Sequence, residues 1–141
     1  MALAATTQGM ITPGTTVNDA GVYTVPSCRG EKCTFQNAGR RAYGRVDLRR
    51  SIIVSSDVYY YSLGARYWIE RDKYGDGIQD MAKAFGFGSR TGIPFETDRA
   101  GLIPDPALKK QRHEENPKAF PEGRWYTGDN INIAIGQGDV L

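Results

Sequence analysis

Histidine and cysteine are scarce in this chain. Of 141 residues one is histidine, His113, and two are cysteine, Cys28 and Cys33. A structural zinc site draws about four such ligands, usually as two close pairs, so no zinc site is expected, and no other metal or cofactor is called for. Charge of one sign is lacking too: 18 Lys and Arg stand against 16 Asp and Glu, a net +2. That balance gives no electrostatic case for nucleic acid or anionic lipid as a partner. There is no run of about 18 apolar residues that could cross a membrane as a helix. No basic segment leads into an apolar one, so no signal peptide is read. Internal repeats and low-complexity tracts are absent as well.

What is there is ordinary globular composition at one-domain size: 15.6 kDa, 40% hydrophobic residues and a mean hydropathy of −0.48. Seventeen glycines and seven prolines make it rich in forced turns. Met1 to Met10 reads as a helix end stopped by Gly9. In residues 21–36, Tyr23 and Val25 share an alternating face before a Cys-containing tip, which predicts a short hairpin or irregular excursion. Residues 37–45 read as a loop. Asp47 suits a helix N-cap, with Leu48 and Ile52 spaced i, i+4 on one face. Ser55-Ser56-Asp57 interrupts, with Asp57 at the N-cap of a second helix over 58–70. The aromatics of that helix cover more than one face, so it should be buried on most sides. Residues 72–77 read as a turn, 78–85 as a short helix ended by Gly86, and 105–123 as a polar surface excursion.

Four residues, Gly30 among them, separate the cysteines. A disulfide closing a hairpin tip suits them, and the loop-entropy model gives so short a ring roughly 2 kcal/mol. It would imply an oxidising compartment; two free thiols in a cytosolic loop stay open as the alternative. Other motif candidates fail on spacing. Asp72 to Lys83 has Tyr74 and Lys83 where a calcium loop requires acidic or amide ligands. Gly86-Phe87-Gly88 follows a helix, whereas a dinucleotide turn follows a strand. His113 lies in a charged stretch and reads as solvated. Ser55-Ser56-Asp57, taken alone, is a capping motif.

Its company changes that. The string SIIVSSDVYYYSLG (51–64) resembles the second active-site motif of the serine penicillin-binding proteins, where Ser-x-Asn closes one helix and opens the next. Asp in the third position resembles the elongation-type class B members. GFGSRTGIPFETDRAGLIPDP (86–106) and WYTGDNINIAIGQGDVL (125–141) are similar to two later segments of the same family, and TTQGMITPGTTVNDAGVY (6–23) to the stretch after its nucleophile helix. These segments stand in the family's order and cover nearly the whole chain. The Cys-x4-Cys loop resembles an actinobacterial variant.

The resemblance implies an α+β fold. The chain would be the mostly helical, loop-rich middle part of a serine β-lactamase/transpeptidase-like domain, with the central sheet largely missing, and residues 1–141 a partial transpeptidase domain without a second domain. It implies acyl transfer. A serine attacks the D-Ala-D-Ala amide of a peptidoglycan stem peptide, or a β-lactam, and a second stem's amine resolves the acyl-enzyme. Ser55 would relay a proton to the leaving nitrogen, and Asp57 would hold the lysine beside the nucleophile and face the substrate amide. Gln137 is a candidate for the groove floor; otherwise the two glycines beside it serve backbone turns and Gln137 caps a helix. Trp125, Asp129 and Asn132 read as packing and loop hydrogen bonds.

The family's other two motifs are missing. No serine here is followed three residues on by lysine, and there is no Lys-Thr-Gly. The first would precede Met1 and the third would follow Leu141, so the chain reads as an internal fragment, inactive by itself. Its parent would sit on the extracytoplasmic face of the plasma membrane through a single-pass anchor, beside a membrane glycosyltransferase of the shape-elongation-division family. Two other readings remain: a non-enzymatic β-lactam-sensing or scaffold domain of the same fold, and a small secreted disulfide-bearing binding module.

Overall fold

The computed structural model describes residues 1–29 and 31–140. Gly30, the expected tip between the cysteines, and Leu141 lie outside the described residues. One helix organises the rest. α3 (Asp57–Ile69) buries Val58, Tyr59, Tyr61, Leu63, Gly64, Ala65 and Tyr67, so it has apolar neighbours on two sides, as its spread of aromatics predicts. On one side lie α1 (Ala2–Thr7), α5 (Gly77–Ala84) and Met10, Ile11 and Val46. On the other, Val25 and Ile131 pack against Val58, Tyr61 and Ala65. Tyrosine suits this core where its hydroxyl finds a partner at the edge, as three of them on α3 do. Tyr59 donates to Thr15 O at 3.2 Å, Tyr61 to Gln36 O at 3.3 Å and Tyr67 to Gln8 Oε1 at 2.7 Å.

Two small antiparallel sheets flank α3. β1 (Val17–Asp19) pairs with β4 (Gly44–Val46), Val17 opposite Val46, and β2 (Val22–Thr24) pairs with β3 (Thr34–Gln36), Tyr23 opposite Phe35. The second is the expected hairpin, and Phe35 carries it onto α3 with its ring 5.4 Å from that of Tyr61. The first was not expected: the expected loop over 37–45 runs into β4 at Gly44, and β1 is too short to show an alternating pattern.

Three helices also differ from the sequence reading. α4 (Arg71–Tyr74) occupies the first half of the expected turn. α6 (Pro106–Glu115) lies in the polar excursion, so His113 sits on a helix, its Nδ1 2.7 Å from Phe120 O. α6 buries no residue and therefore shows no apolar stripe, but Asp105 caps it by accepting from Leu108 N–H at 2.8 Å and Pro106 fills its first turn. α7 (Thr127–Ala134) begins where the Asp129 carboxylate accepts from Tyr126 N–H at 2.7 Å, and it crosses α3 at Gly64. α2 (Leu48–Val54) starts at Asp47 as expected, with Oδ1 accepting from Arg50 N–H at 2.7 Å. Its expected apolar face is covered only at its start, however: Leu48 packs against the core, whereas Ile52 and Ile53 are 65% and 70% exposed.

Candidate active site

The Ser55-Ser56-Asp57 junction is a helix stop and a helix start sharing three residues. α2 ends with Ser55 N–H reaching back to Ile52 O at 3.4 Å and Ser56 N–H to Ser51 O at 2.9 Å. This bond pair requires a left-handed residue between, normally glycine. Here it is Ser55, at φ +53° and ψ +57°. A side chain in that conformation costs on the order of 1 kcal/mol. α3 then starts at once, but its N-cap is Ser56 and not Asp57, because Ser56 Oγ accepts from Tyr59 N–H at 3.2 Å. Asp57 is the first helical residue.

The outcome is an alternation: Ser55 exposed, Ser56 fully buried, Asp57 half-buried. The outer two residues reach solvent and the middle one anchors the turn. Burial pushes the Asp57 carboxyl above the ordinary aspartate range, a hydrogen bond from the Ala38 backbone amide draws it partly back, and the charge of Asp19 adds to the rise. None of the ion pairs among the described residues uses Asp57. The exposed isoleucines of α2 border the junction. An exposed hydroxyl on a rigid turn can pass a proton, since it both donates and accepts. A half-buried, unpaired carboxylate beside it suits a cation brought from elsewhere.

Beneath the turn lies a set of residues that the sequence reading missed. Asp19, at the end of β1, accepts from Gly21 N–H at 2.7 Å, through both carboxylate oxygens from Asn37 Nδ2 at 2.9 Å, and from Ser56 Oγ at 2.5 Å. Asn37 Nδ2 also donates to Arg41 O at 2.7 Å, while its Oδ1 accepts from Val58 N–H at 2.9 Å. The only signal in the sequence was the middle serine of the motif, which stands three residues before Tyr59, as an N-cap requires.

Gln137 is not drawn to this junction. Its backbone N–H bonds Asn132 O at 2.9 Å beyond α7, between Gly136 at φ +72° and Gly138 at φ +79°. It thus closes that helix and leaves an exposed side chain. Trp125 is buried and donates from Nε1 to Asn130 Oδ1 at 2.8 Å, and Asp129 holds Lys109 at 2.8 Å. Cys28 and Cys33 are joined as a disulfide with Cα atoms 5.6 Å apart, Cys33 buried and Cys28 exposed. Cys28 borders an open cleft of about 990 Å³ between the hairpin and the start of α7, with Phe35, Tyr126 and Thr127. An apolar cavity of about 460 Å³ lies between α1, α5 and α7, lined by Leu3, Ile78, Met81 and Ile133. Neither is lined by Ser55 or Asp57.

Comparison with known proteins gives a consistent result. The family model for the penicillin binding protein transpeptidase domain matches residues 1–138. The chain is 33% identical over 138 residues to the peptidoglycan D,D-transpeptidase MrdA of Haemophilus influenzae, covering 98% of this chain and 19% of that protein, and 29% identical to the one of Escherichia coli K12. It therefore spans about a fifth of the length of the curated relatives it matches. The crystal structure of Pseudomonas aeruginosa PBP2 in complex with WCK 5153 superposes with a TM-score of 0.75 at 28% identity, over 99% of this chain and 28% of that one. PBP2 of Helicobacter pylori, in its complex with MreC, superposes with a TM-score of 0.73 at 25% identity, over 99% of this chain and 23% of that one.

Proposed function

The chain belongs to the penicillin binding protein transpeptidase domain family, and on that premise we propose that it acts as the second-motif part of a longer peptidoglycan D,D-transpeptidase, with Ser55 and Asp57 at the reaction centre. The observation that carries this is the junction itself: an exposed serine held in a left-handed turn where glycine would be easier, next to a half-buried carboxylate with no cation of its own. A chain that needed only a helix stop would gain stability from glycine at residue 55.

In the proposed reaction a nucleophilic serine outside these residues attacks the penultimate D-Ala carbonyl of a stem peptide. Its proton passes through the neighbouring base, and the Ser55 hydroxyl takes a proton on one side as it gives one to the departing D-Ala nitrogen. An amine of a second stem peptide then attacks the ester and releases the serine. A β-lactam enters the same first step and stops at the ester. Asp57 pairs with the lysinium of the nucleophile's base, and that cation offsets the cost of its burial. The chain alone supplies no serine–lysine pair and is catalytically silent. The parent enzyme works outside the plasma membrane beside a glycan-polymerising partner; the MreC complex of the Helicobacter relative supports its place in a cell-wall assembly.

The test is acylation of the full-length protein by a fluorescent penicillin. Ser55→Ala should slow it by about 100-fold, the scale of a lost proton-relay group. Ser55→Gly should slow it equally, yet raise the melting temperature by relieving the left-handed serine. Unchanged acylation in both variants removes Ser55 from the mechanism.

A further inference from the structure

We propose that Asp19, Asn37 and Ser56 are positioning residues: a buried clamp that holds the Ser55–Asp57 turn in its reactive geometry without touching substrate. The proposal rests on the catalytic reading of Ser55 and Asp57 and adds three residues that reading does not contain.

Asp19, Asn37 and Ser56 are 1%, 2% and 0% exposed. They come from the end of β1, the residue after β3 and the N-cap of α3, so only the folded chain assembles them. Asp19 is a buried carboxylate whose partners are all donors: a backbone amide, a side-chain amide and a hydroxyl. Holding a carboxylate out of water with hydrogen bonds alone is an expensive way to fill space, and apolar residues of the same volume would serve stability as well or better. What the polar set supplies is direction. Each bond fixes an angle as well as a distance.

Those directions converge on the motif. Ser56, between the two reactive residues, is held at both ends: it donates to Asp19 Oδ2 and accepts from Tyr59 N–H. Val58 N–H, one residue past Asp57, is held by Asn37 Oδ1. With Ser56 and Val58 pinned, Ser55 cannot relax from φ +53° and Asp57 cannot rotate away without breaking bonds inside the core. Misplacement of a reacting group by about 1 Å commonly costs a hundred-fold in rate, so a clamp of this kind is worth its burial.

The experiment follows acylation of the full-length protein by nitrocefin in a stopped-flow instrument, reading the saturating first-order constant and the burst amplitude separately. Loss of fold removes active molecules and lowers the amplitude while the survivors keep their rate constant. Loss of positioning lowers the rate constant at full amplitude. Ser56→Ala and Asp19→Asn should lower the constant roughly ten-fold or more, and Ser56→Thr, which keeps the hydroxyl, should restore most of it. Tyr67→Phe, which breaks the remote bond to Gln8, should melt lower and acylate at the normal constant. A normal constant in Ser56→Ala, whatever its amplitude, overturns the clamp. If Asp19→Asn fails to fold, the two Ser56 variants decide; if Ser56→Ala fails, Ser56→Gly replaces it, because glycine is tolerated at an N-cap. Ser55→Ala run alongside separates the two ideas. A slow Ser55→Ala with a fast Ser56→Ala rejects the clamp only, whereas a fast Ser55→Ala rejects the catalytic reading and the clamp with it.

Discussion

Replacing Gly64 with alanine sets two physical effects of opposite sign against each other. Gly64 lies inside α3, where alanine is favoured over glycine by about 1 kcal/mol on helix propensity. It is also where α7 crosses. A Cβ built there would stand 2.7 Å from Asn130 O, 2.8 Å from Ala134 Cβ and 3.0 Å from Ile131 Cα. Two of these are backbone atoms, so no rotamer change relieves them and α7 must move outward as a body. That movement loosens Ile131, wholly buried against Val58, Tyr61 and Ala65. Overpacking of this kind costs about 1–3 kcal/mol. Set against the propensity gain of about 1 kcal/mol, the net is a loss of up to about 2 kcal/mol, or a melting temperature lower by up to roughly 7 °C for a chain of this size. Scanning calorimetry of Gly64→Ala beside the parent chain measures it directly. A variant that melts higher, as propensity alone requires, would refute the close crossing of α3 and α7.

Two further outcomes follow from the same structure. Reduction of Cys28–Cys33, or their joint replacement by serine, should cost about 2 kcal/mol by the loop-entropy model, and a peptide mass spectrum of unreduced protein from an oxidising compartment should show the two cysteines linked; two free thiols would contradict the pairing. The raised Asp57 carboxyl makes the folded chain bind its proton more readily than the unfolded one, so this residue costs nothing at low pH and increasingly destabilises as pH rises from the ordinary aspartate value of 3.8 toward the folded one. Asp57→Asn should therefore gain stability relative to the parent chain across that rise, and a stability difference independent of pH would contradict it.

How much was legible depended on how far apart the interacting residues lie. Helix starts are local, so Asp47 as a cap could be read directly, and the aromatic run of α3 announced a helix wanted on two sides. Asp57 was misread as the cap because Ser, Ser and Asp all suit that place; only the geometry of Ser56 against Tyr59 N–H chooses among them. α6 carried a readable Asp-Pro start at 105–106, but a helix that buries nothing has no apolar period to extend it. The β1–β4 pair and the tie from Asp19 through Asn37 to Ser56 join residues far apart in the chain, through strands of three residues that carry no pattern of their own.

The amino-acid sequence by itself determined the family, because the order and wording of several motifs survive without any knowledge of their contacts. It also supplied the two residues proposed for the reaction centre, Ser55 and Asp57, since both are part of such a motif. The tertiary structure alone decided how that centre is held: a serine forced into a left-handed turn, a carboxylate made reluctant to ionise, and a buried polar clamp beneath them. Motifs are read along the chain, whereas burial and hydrogen-bond direction exist only once segments distant in sequence have been packed together.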